Sequence, residues 1–370
     1  MRLIETASLK QGSILGKTIF NDKGLPLLKD GVELTKWHID RLKRYKIQYV
    51  YIAEKETSHI VPKEAISQKL RSSATQKIDQ SFTEIQEDIS TNTDLTMEKA
   101  SNSLSQVVKQ LMEELKGNQG LFDILSDVYT YDHYIFTHSL NVTLYSLSIG
   151  LELNLSPKEL QILGLGAIMH DVGKMRVPEE ILFKPGRLDE EELLVIQQHC
   201  MDGFNMLRKV HSISPLVAHC ALQHHERNDG SGYPHGLKER DIHLLAKIIA
   251  VADVFDAVTS NRVYRKAMLP NEALELLFAE AGSKFDKNII EAFRRTVAIF
   301  PIGLTVGLSD GHIGVVSRQN MGYSNRPVIE VFEQNGVPLP FRYEIDLKDR
   351  LDITVVRSVT AMDENAPKIS

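Results

Sequence analysis

The sequence predicts a mainly α-helical protein, with packed helices over residues 121–300, a small α/β or β-rich module before them and a small β appendage after them. Three observations predict it. Between Leu121 and Phe300, apolar residues recur at helical spacing behind recognisable helix starts. After Pro301 the pattern turns to short alternating, β-branched runs divided by Gly, Pro and Asn. Before Pro62, short apolar runs are broken by Gly12, Gly16, Gly24 and Gly31.

Taken in order, residues 1–62 contain a helical stretch around Leu34 to Tyr45 and a strand-like run, IQYVYI, ending at Ile52. From Lys63 to Lys116 the chain is polar and free of glycine, with Ile66, Leu70, Ile78, Phe82, Ile85 and Ile89 at loosely helical spacing. Residues 63–120 therefore read as a helical linker or stalk. Its apolar stripe suits pairing with a second copy of the chain as a homodimer, and a mobile surface helix fits the same pattern.

Helix starts within 121–300 can be located. Ser156-Pro157-Lys158-Glu159 and Asp189-Glu190-Glu191-Glu192 have the form of capping boxes, and Ser214-Pro215 that of a cap with a first-turn proline. The runs GHIGVVS, PVIEVF and LDITVVRSV place strands in residues 301–357, and residues 358–370 form a tail.

Composition narrows the function. The 370 residues carry a formal net charge of -6, and the overall pI is near 6.1. That is unlike a chain that binds duplex nucleic acid or anionic membranes through a basic surface. No stretch approaches the roughly 18 apolar residues of a membrane span, and the first residues lack a secretory pattern. A cytoplasmic protein is expected. Cys200 and Cys220, the two cysteines, lie in apolar helical surroundings and are expected to be reduced core residues.

The thirteen histidines say more. His170 and Asp171 end an apolar helical run, with Gly173 able to stop the helix and Lys174 following. His138 shares a helical face with Val142, Tyr145 and Ile149, so it points toward a core and needs a partner. Asp253 lies in the almost wholly apolar LLAKIIAVADVFDAV, where an unpaired carboxylate is costly. His199 ends another helix. His224 and His225 end a third, and neighbours about 100° apart reach one cluster only where the backbone turns. His219 reads as structural, and His211, His235 and His243 as surface or loop residues.

Imidazoles with carboxylates suit iron or manganese better than structural zinc or calcium. Five histidines and two aspartates exceed the needs of one ion, which implies two divalent metal ions with Asp171 as the bridging carboxylate. Two ions roughly 3.5–4 Å apart can share a hydroxide of lowered pKa and clamp an in-line attack at phosphorus. Phosphate also needs cations that are not ligands, and Lys174, Arg262 and Arg265 fit that role.

At this point the sequence resembles the HD-GYP phosphodiesterases, a branch of the HD hydrolase superfamily. The resemblance runs from about Asp132 to Phe300, through HS at His138, HDVGK from His170, His199, HHERNDGSGYP from His224, and ADVFDAVTSNRVYRKA from Ala252. It implies an all-helical HD-type bundle that opens cyclic di-GMP to linear pGpG, with further cleavage to GMP as an extension. By the same resemblance His138, His170, Asp171, His199, His224, His225 and Asp253 are metal ligands, Asp171 and Lys174 are catalytic, and Lys174, Arg262 and Arg265 contact phosphate. Gly232-Tyr233-Pro234 shapes the substrate pocket. Some family members hold a third metal with a glutamate one turn before the first histidine. Tyr134 stands there, which favours two metals, with Asp132 and His133 as nearby alternatives. A receptor that binds cyclic di-GMP without turnover, and an HD hydrolase for another cyclic dinucleotide or nucleotide, are the competing readings.

Overall fold

The computed structural model describes residues 1–20, 25–45, 47–62, 64–88, 93–117, 134–184, 186–260 and 267–360. The chain is mainly α-helical. The first module has strand β1 (Arg2–Glu5), the short strands β2 (Ile14–Leu15), β3 (Ile19–Phe20) and β4 (Pro26–Leu28), helix α1 (Lys36–Arg44) and strand β5 (Tyr49–Ala53). β5 lies between β1 and β2 with antiparallel pairing on both sides. Leu15, Leu34, Leu42 and Val50 close a small core of their own.

Helices α2 (Gln68–Glu87) and α3 (Thr93–Gly117) follow. The apolar stripe read as a linker or dimerising stalk is used within the chain. Ile78, Phe82 and Ile85 of α2, with Leu104, Val108 and Leu111 of α3, are buried in the same core as the helices that follow. Phe82 meets Phe136 edge-on, centroids 5.9 Å apart. The face that motivated a homodimer through residues 63–120 is thus covered by the protein's own helices. The sequence pattern could not distinguish the two cases, because an amphipathic helix presents the same stripe to either partner.

Those next helices are α4 (Tyr134–Glu152), α5 (Pro157–Met169), α6 (Glu179–Leu182), α7 (Glu190–Gln197), α8 (His199–Leu207), α9 (Pro215–Gln223), α10 (Leu244–Thr259), α11 (Pro270–Ala279) and α12 (Lys287–Thr296). Their starts follow local chemistry. Ser156 and Asp189 form reciprocal capping boxes with Glu159 and Glu192, and the Ser214 hydroxyl accepts from Leu216 N–H beside a first-turn proline. Tyr145, Phe255 and Phe293 meet edge-to-face at 4.7–5.6 Å between centroids. Such pairs add about 0.5–1.5 kcal/mol each beyond area burial. This trio locks α4, α10 and α12 together, which sets His138 against Asp253.

The C-terminal part is a five-stranded antiparallel sheet of β6 (Thr305–Leu308), β7 (His312–Arg318), β8 (Val328–Gln334), β9 (Val337–Asp346) and β10 (Val355–Val359), in the order β10-β6-β7-β8-β9. Sequence pattern misses β6 and β9. Pro338 and Pro340 argue against a central strand, and β9 tolerates them because it is an edge. Leu3, Tyr51 and Ile60 of the first module pack with Leu304, Val316 and Ile329, and Tyr51 Oη donates to Ile302 carbonyl at 3.1 Å. The two β-containing ends of the chain therefore share a core. No helix among the described residues is long and apolar enough to cross a membrane.

Candidate metal centre

Three histidines are presented by one repeated device. Each lies at the end or start of a helix, and its Nδ1 lies against the carbonyl three residues earlier: His170 on Ala167 at 2.7 Å, His199 on Ile196 at 2.6 Å and His224 on Ala221 at 2.9 Å. A carbonyl only accepts, so Nδ1 carries the hydrogen and Nε2 keeps a lone pair in the neutral ring. All three Nε2 atoms converge on Asp171, at 3.3 Å from Oδ2 for His170 and at 3.3 and 3.7 Å from Oδ1 for His199 and His224. All four side chains are buried.

The fourth arm comes from α4 and α10. His138 Nε2 lies 3.2 Å from Asp253 Oδ1 and 3.7 Å from Asp171 Oδ2. Its Nδ1 donates to Asp256 Oδ2 at 2.7 Å. Asp256 is a buried residue that the sequence reading missed, although its spacing of three from Asp253 puts both carboxylates on one helix face. It orients the imidazole as a carboxylate orients a metal-bound histidine. His225 completes the set, with Nδ1 3.9 Å from Asp253 Oδ2. The backbone turns at the end of α9, so the adjacent His224 and His225 rings both reach the cluster, centroids 4.1 Å apart.

These donors fit divalent ions. His170 Nε2 and Asp171 Oδ1 are buried without a hydrogen-bond partner among the described residues. His199 Nε2 and His224 Nε2 lie 3.3 Å apart while both Nδ1 atoms are engaged by carbonyls, so two ring nitrogens face one spot beside Asp171. Two ligand sets can be distinguished, His138-His170-Asp171 and His199-Cys200-His224-His225, each with its donor atoms within 4.8 Å. The sequence pattern marks Cys200 only as a core residue. Its Sγ lies 3.5 Å from His199 Nε2, and burial pushes the thiol pKa up, which keeps it protonated before any ion binds.

Electrostatics set the proton count. Burial works against the Asp171 charge, yet His170 and Lys174 hold its carboxyl well below the usual range; Lys174 Nζ lies 2.5 Å from Oδ2. Burial pulls His224 down to about 4. At His138 burial opposes protonation, but hydrogen bonds to Asp253 and Asp256 outweigh it and push the pKa up to about 9. In the metal-free chain the His138 contribution to stability is full below its ordinary 6.5 and is lost as pH rises through about 9. The His224 contribution has the opposite sign, being full above 6.5 and lost as pH falls through about 4. Two results are expected: melting temperature of the chelated protein falling on both sides of pH about 6.5, and proton release from His138 when metal is added at pH 7. A pH-indicator titration showing no release would mean that His138 is already neutral.

The GYP turn forms one wall. Tyr233 stacks on His225, centroids 4.6 Å apart and planes at 27°, and Tyr233 N–H donates to His225 carbonyl at 3.2 Å. A Cβ on Gly232 would lie 2.5 Å from Arg227 N, Glu226 Cα and His225 O, so this approach requires glycine. Glu226, also missed in the sequence, latches the loop: its buried carboxylate accepts from His235 N–H and Leu237 N–H at 2.8 Å each. Glu226→Gln exchanges one acceptor for a donor, which costs about 1–3 kcal/mol. The expected phenotype is a lower melting temperature and a raised KM with metal content kept, as checked by kinetics alongside elemental analysis.

Other sequence expectations resolve plainly. His219 packs edge-on to Phe204 away from the cluster, and His243 caps α10 by accepting from Leu245 N–H. Arg262, Arg265, Asp132 and His133 lie outside the described residues.

A family model described as an HD domain matches residues 104–289, half of the chain. This chain belongs to the HD domain family. Its HD dipeptide is His170-Asp171, and the intact Gly232-Tyr233-Pro234 turn places it in the HD-GYP branch. This HD-GYP chain is 39% identical over 213 residues to a cyclic di-GMP phosphodiesterase of Pseudomonas aeruginosa, covering 57% of the chain and 51% of that protein. It is 43% identical over 145 residues to a cyclic di-GMP phosphodiesterase response regulator of Xanthomonas campestris pv. campestris, covering 39% and 38%. It is also 40% identical over 163 residues to 3'3'-cGAMP-specific phosphodiesterase 1 of Vibrio cholerae, covering 44% and 38%. The chain spans about half or less of the length of these curated relatives.

Proposed function

We propose that this protein is a metal-dependent phosphodiesterase that hydrolyses cyclic di-GMP to linear pGpG. The carrying observation is the convergence of three histidine Nε2 atoms on the buried Asp171, beside the His138–Asp253 arm. The similarity to phosphodiesterases for two cyclic dinucleotides supports the substrate class.

His138, His170, His199, His224, His225, Asp171 and Asp253 would hold two divalent ions, iron or manganese by the chemistry of the donors. Bound there, such ions supply Lewis acidity at phosphorus and an attacking water of lowered pKa. The chain's own groups do the rest. Lys174, 22% exposed beside the buried Asp171, stands where it can pass from that carboxylate to a phosphate oxygen. Arg262 and Arg265 are assigned to the same phosphates by their place in NRVYRKA. The Tyr233 ring, held against His225, offers a flat wall to one side of the ligands. Water oxygen joins phosphorus as it gives up a proton, the bond from phosphorus to the 3'-oxygen breaks, that oxygen takes up a proton to become the 3'-hydroxyl, and the phosphate stays on the 5' side as pGpG.

The test is anaerobic incubation of the full chain with ferrous or manganous ions and, separately, cyclic di-GMP and 3'3'-cGAMP, with products separated chromatographically. Linear pGpG formation that stops on chelation and exceeds turnover of 3'3'-cGAMP is expected. Absence of linear product with every metal overturns the activity, and preference for 3'3'-cGAMP reassigns the substrate.

A further inference from the structure

The metal centre is joined to a helix outside the HD family match by a polar chain whose ends are buried and whose middle residue, Asn141, is half-buried. Arg71 lies on α2 and is 2% exposed, whereas the matched segment begins at residue 104. Its Nη1 donates to Asn141 Oδ1 at 3.3 Å. Asn141 Nδ2 donates in turn to Asp256 Oδ1 at 3.0 Å, and Asp256 Oδ2 accepts from His138 Nδ1 at 2.7 Å. His138 and Asn141 are three apart on α4, so one helix face carries both.

The direction of these bonds is uniform. A guanidinium has donors only, which commits the Asn141 oxygen to Arg71 and its NH₂ to Asp256. Asp256 is then an acceptor at both oxygens, so the hydrogen shared with His138 belongs to the ring. His138 therefore keeps Nδ1–H toward α10 and presents Nε2 to Asp171 and Asp253, so Nε2 is the ring nitrogen left to face an ion. The remote end of the chain thus helps to fix which ring nitrogen faces the metal end. In a low-dielectric interior each bond polarises the next, and a half-satisfied network is costly, so the four groups hold or fail together. The same α2 also packs against α4 through Phe82 and Phe136.

We propose that Arg71 and Asn141 are positioning residues for the metal centre, and that α2, which follows the N-terminal module, is a lever on metal affinity through Asp256 and His138. A displacement of α2 that parts Arg71 from Asn141 frees the Asn141 amide to turn, loosens Asp256 and lets the His138 ring leave its ligand orientation. The inference rests on the metal-site reading above, but not on the identity of the substrate.

The experiment uses the full chain, stripped with chelator and titrated with manganous ion, with free ion followed by electron paramagnetic resonance. The visible spectrum of the cobalt(II) form reports ligand geometry. Asp256→Asn should weaken manganese binding about 10–100-fold, the usual range for a group orienting a ligand, and Arg71→Met, one step further out, roughly 3–10-fold. The double variant should bind no more than about twofold less tightly than Asp256→Asn alone, because the two act through one path. The Arg71→Met cobalt spectrum should shift while its metal-free melting curve remains cooperative. Asn141→Ala repeats the test should Arg71→Met fail to fold. Parent affinity and parent spectrum in folded Arg71→Met or Asn141→Ala would overturn the proposal, as would full additivity with Asp256→Asn. Since none of these readouts requires substrate, loss of the phosphodiesterase reading would leave them standing.

Discussion

Asp171→Ala should leave a folded protein that retains neither ion and hydrolyses nothing above background. One carboxylate faces both ligand sets: Oδ2 lies 3.3 Å from His170 Nε2, and Oδ1 lies 3.3 Å from His199 Nε2 and 3.7 Å from His224 Nε2. It is also the negative charge that Lys174 contacts. In the proposed two-metal site its loss would remove a shared ligand and a charge balancing both cations, so the drop in affinity should exceed the roughly 10–100-fold seen when only an outer-shell partner is lost. The fold should survive, because the deleted atoms are polar and the surrounding helices are closed by the Tyr145-Phe255-Phe293 trio rather than by Asp171. Elemental analysis should find metal falling from about two per chain, the count a two-metal site implies, toward none, while His219→Ala keeps the parent content. Parent metal content in Asp171→Ala would refute the bridging role.

The second large effect is steric. Gly173 follows the HD dipeptide where the chain crosses α8, and a Cβ there would lie 2.0 Å from His199 O and 2.6 Å from Gly203 N. Both are backbone atoms, so no side-chain rotation relieves the overlap. Overpacking ordinarily costs 1–3 kcal/mol, and Gly173→Ala should reach about 3 kcal/mol or more because a helix has to move. That corresponds to roughly 6–12 °C in melting temperature for a unit of this size. The displaced element carries His199, so metal affinity should fall with stability. Gly203→Ala is the control: its added Cβ would meet nothing nearer than Ala221 Cβ at 3.3 Å. Equal melting temperatures for Gly173→Ala and the parent would show that the close approach does not exist in solution.

Local chemistry made much of this protein legible. Ser156, Asp189 and Ser214 announce helix starts by hydrogen bonds that span only two or three residues, and such signals survive without tertiary context. The strands β7, β8 and β10 follow from β-branched runs between turn residues. The seven proposed ligands could be read for a related reason. Each is a polar group set in apolar helical sequence or at a helix end, where lack of a partner is conspicuous. In the structure every one of them reaches the same cluster.

What stayed hidden depended on long-range partners. Asp256 and Glu226 look like ordinary acidic residues until α4 brings His138 to one and the GYP loop brings two amides to the other. The apolar stripe of α2 and α3 reads equally well as an interface with another copy, and only packing against α4 and α5 decides that the chain covers it itself. Strand β9 is masked by its prolines, whose tolerance depends on an edge position that sheet order alone reveals. By itself, the sequence determined the helical character and the helix starts, because those rest on residue type and spacing, and with the family resemblance it named the proposed metal-site donors. The tertiary structure alone decided which carboxylate orients His138, which glycine permits the helix crossing at His199, and that α2 belongs to the bundle, because each depends on atoms brought together from distant parts of the chain.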